Sequence, residues 1–399
     1  MLRLRARLRV LCAAGGAVCS AVAALGLAVV MAPSAIAGRL DYYALLAAAN
    51  LPRLAVAGFV GLLLGCLAGR GTEPRWVGTL AVTVGAASTV VSGAMTAAVL
   101  LKAQSLGLPI TPRALGLAPR RDQEAGDGEQ QRSAPETITL DSSDGGWHLD
   151  ADLYRPVAKD GLKARGAIVV VHGGAWRHGD KGENPWSNQW LVERGYLVLD
   201  VRYTLAPVAD WRVPVRDVRC AVAWLRAHAA DLGIDRERVA LLGRSAGGHL
   251  ALLAAYMSDE ALGICAAEKG APWAVMAFYP PIDLLQASAR DDDVREGLRA
   301  LLGTEPGRGD EVYRSASPLA YVSAHAPPTL LIHGTWDDPV PADHSRQLAA
   351  ALALHGAQVR LLEVPFARHA FDIVPDGLHT LLAHEAIAAF LAGRLGEPR

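Results

Sequence analysis

The pattern of hydrophobic and polar positions changes character along the chain. Residues 10–32 and 77–101 are long apolar runs without a charge, and 54–69 is a shorter run of 16 residues that follows Pro52-Arg53. At about 1.5 Å of rise per residue the two longer runs can cross the roughly 30 Å of hydrocarbon in a bilayer. The run 77–101 also lacks the polar face that a surface helix keeps. About three transmembrane helices are therefore expected within 1–102, the membrane segment. Ala35-Ile36-Ala37 resembles a signal-peptidase site, but the run before it exceeds the ~7–15 residues of a signal-peptide core. Arg3, Arg5, Arg7 and Arg9, with Arg70 and Arg75, would lie in the cytoplasm by the positive-inside rule, so three crossings would put the rest of the chain outside. Arg39, Arg53 and Lys102 weigh the other way.

Residues 103–135 are rich in Pro, Gly, Arg and Gln, and 120–133 are polar without periodicity, which reads as a linker or a small lid. From residue 136 onward strands alternate with helices. In 137–140 and 149–154 apolar positions recur every second residue (Leu149, Ala151, Leu153), as in a half-exposed antiparallel pair. A continuous β-branched run at 167–171 predicts a strand buried on both faces. Further strands are expected at 196–201, 238–242, 275–279, 329–332 and 359–364. Val218, Ala221, Val222 and Leu225 mark a helix, and 345–354 and 378–391 two more. Such alternation predicts an α/β domain over 136–399, with a mostly parallel eight-stranded sheet flanked by helices. Ligands bind such sheets beyond the carboxyl ends of the strands.

Four motifs stand at those ends. Gly243-Arg244-Ser245-Ala246-Gly247 has the form G-x-S-x-G between a strand and a helix, which would force the Ser245 hydroxyl out of the sheet as a nucleophile. A glycine-rich turn with an incidental serine is the alternative. His172-Gly173-Gly174-Ala175-Trp176 follows the buried strand 167–171, and amides of Gly173, Gly174 and Ala175, with that of Ala246, could hold an oxyanion. Asp337, past the strand 329–332, is the expected acid, with Asp338 a turn residue and Asp343 the cap of the next helix. His369 follows the last strand and is the expected base; chain order Ser, Asp, His suits this arrangement. Trp176, Trp186, Trp190 and Trp211 are candidates for lining a pocket, with core packing expected for at least half of them.

A net charge of -1 gives no field that favours nucleic acid. Cys12, Cys19, Cys66, Cys220 and Cys265 show no zinc-like spacing, which leaves room for a single Cys220–Cys265 bridge.

Taken together, H-G-G-A-W-R-H-G-D-K (172–181), G-R-S-A-G-G-H-L-A (243–251), Y-P-P-I-D-L (279–284) and H-G-T-W-D-D-P-V-P (333–341) resemble the α/β-hydrolase carboxylesterases, in particular the hormone-sensitive-lipase-like and bacterial feruloyl-esterase-like branches. The resemblance implies Ser245 as nucleophile, Asp337 as acid, His369 as base, the four backbone amides as oxyanion hole, and no metal or organic cofactor. It covers residue 136 to the C-terminus and not the membrane segment. The expected activity is hydrolysis of short- to medium-chain carboxylic esters by a multi-pass membrane protein with its hydrolase domain outside the cytoplasm, its partners a small-molecule ester and the bilayer. A formamidase or amidase would use the same residues, and a membrane-anchored binding protein on an inactive hydrolase fold is a reading from another class.

Overall fold

Eight strands form one sheet in the order β1-β2-β4-β3-β5-β6-β7-β8. They are β1 (Glu136–Asp141), β2 (His148–Tyr154), β3 (Ala167–Val171), β4 (Leu197–Val201), β5 (Val239–Arg244), β6 (Ala274–Phe278), β7 (Thr329–Gly334) and β8 (Val359–Val364). β1 and β2 pair antiparallel, β2 lies antiparallel on β4, and the β4-β3-β5-β6-β7 stretch is parallel. In the edge pair Leu149, Ala151 and Leu153 are buried as their alternation predicts, and every residue of β3, β4, β5 and β6 is buried.

Three long helices precede the sheet in the chain: α1 (Leu2–Met31), α2 (Leu51–Ala68) and α3 (Arg75–Ser105). Within the sheet, connections run in two directions from β3. The chain steps from β3 to β4 through α4 (Pro185–Val192), returns past β3 to β5 through α5 (Arg212–Ala227), and continues outward to β6 through α6 (Ala246–Tyr256). Right-handed crossovers put α4 on one face and α5 and α6 together on the other, where α5 packs beside α6. The order reverses at β3 and β5, and the crevice beyond a reversal point is where a doubly wound sheet offers a binding site. Three short helices, α7 (Leu284–Ser288), α8 (Asp292–Leu302) and α9 (Asp310–Ser315), fill the excursion between β6 and β7, α10 (Asp343–Leu354) precedes β8, and α11 (Leu378–Leu391) comes after it. Asp343 is the first residue of α10 and not its N-cap, which is Ala342; its carboxylate pairs with Arg346 at 2.6 Å. Cys220 on α5 is buried and disulfide-bonded, while Cys12, Cys19 and Cys66 are free. Cys265 lies outside the described residues.

The computed structural model describes residues 2–31, 46–68, 75–108, 134–141, 146–156, 164–263 and 270–393. The chain divides into two units, Gly128–Glu363 with Gly396–Arg399, and Met1–Asp127 with Val364–Leu395. The second unit contains α1, α2 and α3 together with α11. Small residues make α1, α2 and α3 pack closely: a Cβ on Gly16 would lie 3.0 Å from the Gly61 carbonyl oxygen, and the Ser20 hydroxyl donates to Ala81 O at 2.8 Å. Large apolar side chains point outward instead, among them Leu25, Leu67 and Val90.

Among the described residues two helical stretches, Leu11–Ala28 and Thr79–Ser105, are long and apolar enough to cross a membrane, and Leu51–Leu67 is shorter. Three spans are thus not carried by length alone, because Pro52 and Arg53 open α2 and shorten its uncharged part. Most of the expected linker, 109–133, falls outside the described residues, and α3 continues to Ser105.

Candidate active site

β3 and β5 pair in register, Val171 beside Gly243, so the segments leaving their carboxyl ends start side by side. A Cβ built on Gly173 would lie 3.6 Å from the Ser245 Cβ. Ser245 adopts φ 51 and ψ -119 as the residue before α6, a backbone conformation that L side chains rarely accept. Its N–H donates to Phe278 O at 3.0 Å and its C=O accepts from His249 N–H at 3.0 Å, so the turn is pinned by β6 on one side and α6 on the other. Both flanking glycines are sterically required. A Cβ on Gly243 would run into the Gly247 carbonyl, and one on Gly247 into the carbonyls of Val171 and His172. Ala246 is the first residue of α6, where a helix N–H has no intrahelical acceptor and the dipole is positive.

The loop after β3 is equally constrained. Gly174 has φ 105, and Ala175 and Trp176 follow at φ 48 and 60. Among the described residues no hydrogen bond uses the N–H of Gly173, Gly174 or Ala175. The Gly173 carbonyl accepts from His172 Nδ1 at 2.8 Å and from the Tyr203 hydroxyl at 3.2 Å, and the His172 and Tyr203 rings stack at 4.2 Å. In a trans peptide the C=O and the next N–H point oppositely, so these donors turn the Gly174 N–H the other way. Burial lowers the His172 pKa and keeps the ring neutral, so the bond to Gly173 O makes Nδ1 the protonated nitrogen.

Beyond the loop, the Arg177 guanidinium bonds Asp293 at 2.6 Å and Glu296 at 2.9 Å, both on α8. Asp200, at the end of β4, accepts from Gly182 N–H at 2.8 Å and from Asn188 Nδ2 at 2.7 Å, holding the segment that leads into α4. Burial pushes its carboxyl up to about 6.

Asp337 is buried after β7; Oδ1 accepts from Val340 N–H at 3.0 Å and Oδ2 lies 3.4 Å from His333 Nε2. Asp338, by contrast, is partly exposed and bonds Arg290 at 3.2 Å. His369 is half-buried on the turn after β8, just before Ala370 at φ 56 and the short 3-10 turn Phe371–Ile373. It belongs to the unit that holds Val364–Leu395, whereas Ser245 and Asp337 belong to the other. Of the four tryptophans, Trp176 and Trp211 are core residues, while Trp186 and Trp190 are half-buried, with Arg194 over the Trp190 ring at 3.9 Å. Sequence reasoning assigned nothing to Tyr203 or to His249. The position of His249, four residues after Ser245 on a helix, was the available signal, since residues i and i+4 share a face.

The BD-FAE family model matches residues 151–352. Among curated proteins the chain is similar to esterase LipC of Mycobacterium tuberculosis, 35% identical over 233 residues, covering 56% of this chain and 57% of that protein. It is also similar to esterase LipQ of the same organism, 33% identical over 275 residues, 66% of this chain and 64% of that one. The chain thus spans about three-fifths of the length of these relatives. Among solved structures, a thermophilic esterase of Thermogutta terrifontis with propionate bound is 28% identical, with a TM-score of 0.54, over 67% of this chain and 98% of that one.

Proposed function

The chain belongs to the BD-FAE family, and from that premise we propose that it is a carboxylic ester hydrolase working through Ser245, His369 and Asp337. His369 takes the Ser245 proton, the alkoxide attacks the ester carbonyl, and water later releases the acyl group from the serine. Amides of Gly173, Gly174, Ala175 and Ala246 receive the negative charge that develops on the carbonyl oxygen. Asp337 accepts from the imidazole and stabilises its cation. This chemistry requires neither metal nor organic cofactor. The observation that carries the reading is Ser245 on its strained turn at the reversal point of the sheet, with Gly173 against it.

The substrate is a small ester with a short to medium acyl chain, because the excursion between β6 and β7 holds three short helices and one 3-10 turn and forms no large lid. The domain organisation we propose is a membrane segment 1–102, a linker or small lid 103–135 and a hydrolase domain 136–399. The outward-facing apolar side chains of α1, α2 and α3 support a bilayer as their surroundings, with α2 as a third span and the hydrolase domain on the extracytoplasmic side. The disulfide at Cys220 supports that side, since oxidising compartments keep disulfides.

The test uses the full chain in detergent with p-nitrophenyl esters from acetate to decanoate, beside Ser245→Ala. Turnover that is highest at the shorter chains and absent in the variant supports the proposal. Turnover that survives the substitution, or none on any ester, contradicts it.

A further inference from the structure

Two consecutive non-glycine residues at positive φ, Ala175 and Trp176, are strained and persist only where the surroundings hold them. The contacts at Trp176 show what does the holding. Its side chain is 1% exposed, and its indole N–H donates to His249 Nδ1 at 3.1 Å, with the two rings edge to face at 90° and 5.4 Å. His249 Nε2 in turn lies 2.8 Å from the carbonyl of Ala316, an acceptor only, so Nε2 carries the proton and Nδ1 is free to accept. Both ring nitrogens are therefore satisfied in a single neutral tautomer. Burial supports it by pushing the His249 pKa down to about 4.

His249 joins three parts of the site. It lies one turn into α6, where its backbone N–H already bonds Ser245 O. Through Trp176 it reaches the loop that follows β3, and through Ala316 the segment after α9. Gly297 on α8 closes the other side of that loop, since a Cβ there would meet Ala175 O at 2.5 Å and Trp176 Cε3 at 3.2 Å. The strained pair is thus wedged between α8 and a hydrogen bond to the serine's own helix.

We propose that His249 is a positioning residue for the oxyanion loop: by accepting the Trp176 indole N–H it locks the Gly173–Ala175 amides in place relative to Ser245. The proposal rests on the hydrolase reading above. It is specific in its consequence, because those amides act on a charge that exists only in the transition state. Loss of the lock lowers kcat and leaves KM nearly unchanged.

The experiment measures kcat and KM for p-nitrophenyl butyrate with the full chain, His249→Leu, Trp176→Phe, the double variant and Ser245→Ala. Trp176→Phe keeps an aromatic ring in the core and removes the donor together with part of the indole's volume, so the bond is tested even where His249→Leu does not fold, and the double variant separates loss of the bond from loss of packing. Each single variant is expected to lose about 10- to 100-fold in kcat, less than the ~10²- to 10³-fold of deleting one oxyanion donor outright because the amides are displaced and not removed, with KM within about threefold. In the double variant the losses should not multiply, since both remove one bond. Wild-type kcat in Trp176→Phe, or losses that multiply in the double variant, would overturn the proposal. Absence of Ser245-dependent turnover in the unsubstituted chain would refute the hydrolase reading itself, and the proposal with it.

Discussion

His333 Nε2 lies 3.4 Å from Asp337 Oδ2, and neither side chain is exposed. The same nitrogen is 2.8 Å from Val340 O, while Nδ1 faces the Ser345 hydroxyl at 2.7 Å. Because both groups at Nε2 are acceptors, Nε2 bears the proton, and the Asp337 carboxylate has an N–H from Val340 on one oxygen and this ring on the other. Asp337 is therefore a buried and fixed acceptor, which its neighbour Asp338 is not. Asp337→Asn keeps an oxygen for Val340 and should fold, yet lose on the order of 10³- to 10⁴-fold in kcat, as an acid that sets an imidazole tautomer does. Asp338→Asn should stay within about twofold, because a partly exposed ion pair such as that with Arg290 is worth about 0–1 kcal/mol. Steady-state ester hydrolysis by both variants decides between the two aspartates; equal losses would remove Asp337 from its assigned role.

Two glycines beside the serine, Gly247 and Gly173, should differ sharply in tolerance. Gly247→Ala drives a methyl into the Val171 and His172 carbonyls and should cost more than about 3 kcal/mol, enough to deplete folded protein. Gly173→Ala meets only ordinary contacts, at 3.4 Å from Arg244 O and 3.6 Å from the Ser245 Cβ. It should fold with a Tm near that of the parent. Thermal unfolding of the two variants checks this contrast.

Much of this was legible in the sequence because it depends on short-range pattern. Period-two alternation located β2, the unbroken β-branched run located β3, and 378–391 was read as the helix that α11 is. Glycine spacing exposed the turn at Ser245: Gly243 answers to the backbone of Gly247 four residues on, whereas Gly247 answers to the distant carbonyls of Val171 and His172, which its place in the motif stands for without naming them. What was not legible is contact between distant residues. Trp176 and His249 are 73 positions apart and Tyr203 is 30 from Gly173, and nothing local to a histidine or a tyrosine announces such a partner. The start of α5 was hidden for another reason: Pro214 in its first turn reads as a breaker, although a proline there removes an N–H that has no helix acceptor.

Asp200 gives the fold a pH dependence of unusual sign for a carboxylate. Burial raises its pKa from 3.8 to about 6, against the lowering effects of Gly182 N–H, Asn188 and Arg244. The folded state then holds a proton that the unfolded chain has released between those values. The stability this group contributes is present below about pH 4 and is lost as pH rises through about 6, a change of up to about 3 kcal/mol. Asp200→Asn, which keeps an acceptor for Gly182 and Asn188, should flatten the Tm between pH 4 and 6. An unchanged slope would assign the pH dependence to other groups.

The three-span reading makes a topological prediction. Alkaline phosphatase fused after Leu108 should be active in cells, because an odd number of crossings from a cytoplasmic N-terminus ends outside. Phe59→Lys, which puts a charge on the exposed face of α2, should cost on the order of 3 kcal/mol of insertion and lower that activity. An inactive fusion in the unsubstituted chain contradicts three crossings.

A serine activated by its surroundings reacts with electrophiles that leave ordinary serines untouched, so covalent labelling reads the role of Ser245 without any substrate. The full chain is treated with a fluorophosphonate probe, digested, and the modified peptide identified by mass, beside Ser245→Ala and His369→Ala. One label is expected, on Ser245, absent from the first variant and strongly slowed in the second. Labelling at another residue, or a folded chain in which Ser245 stays unmodified, would contradict it.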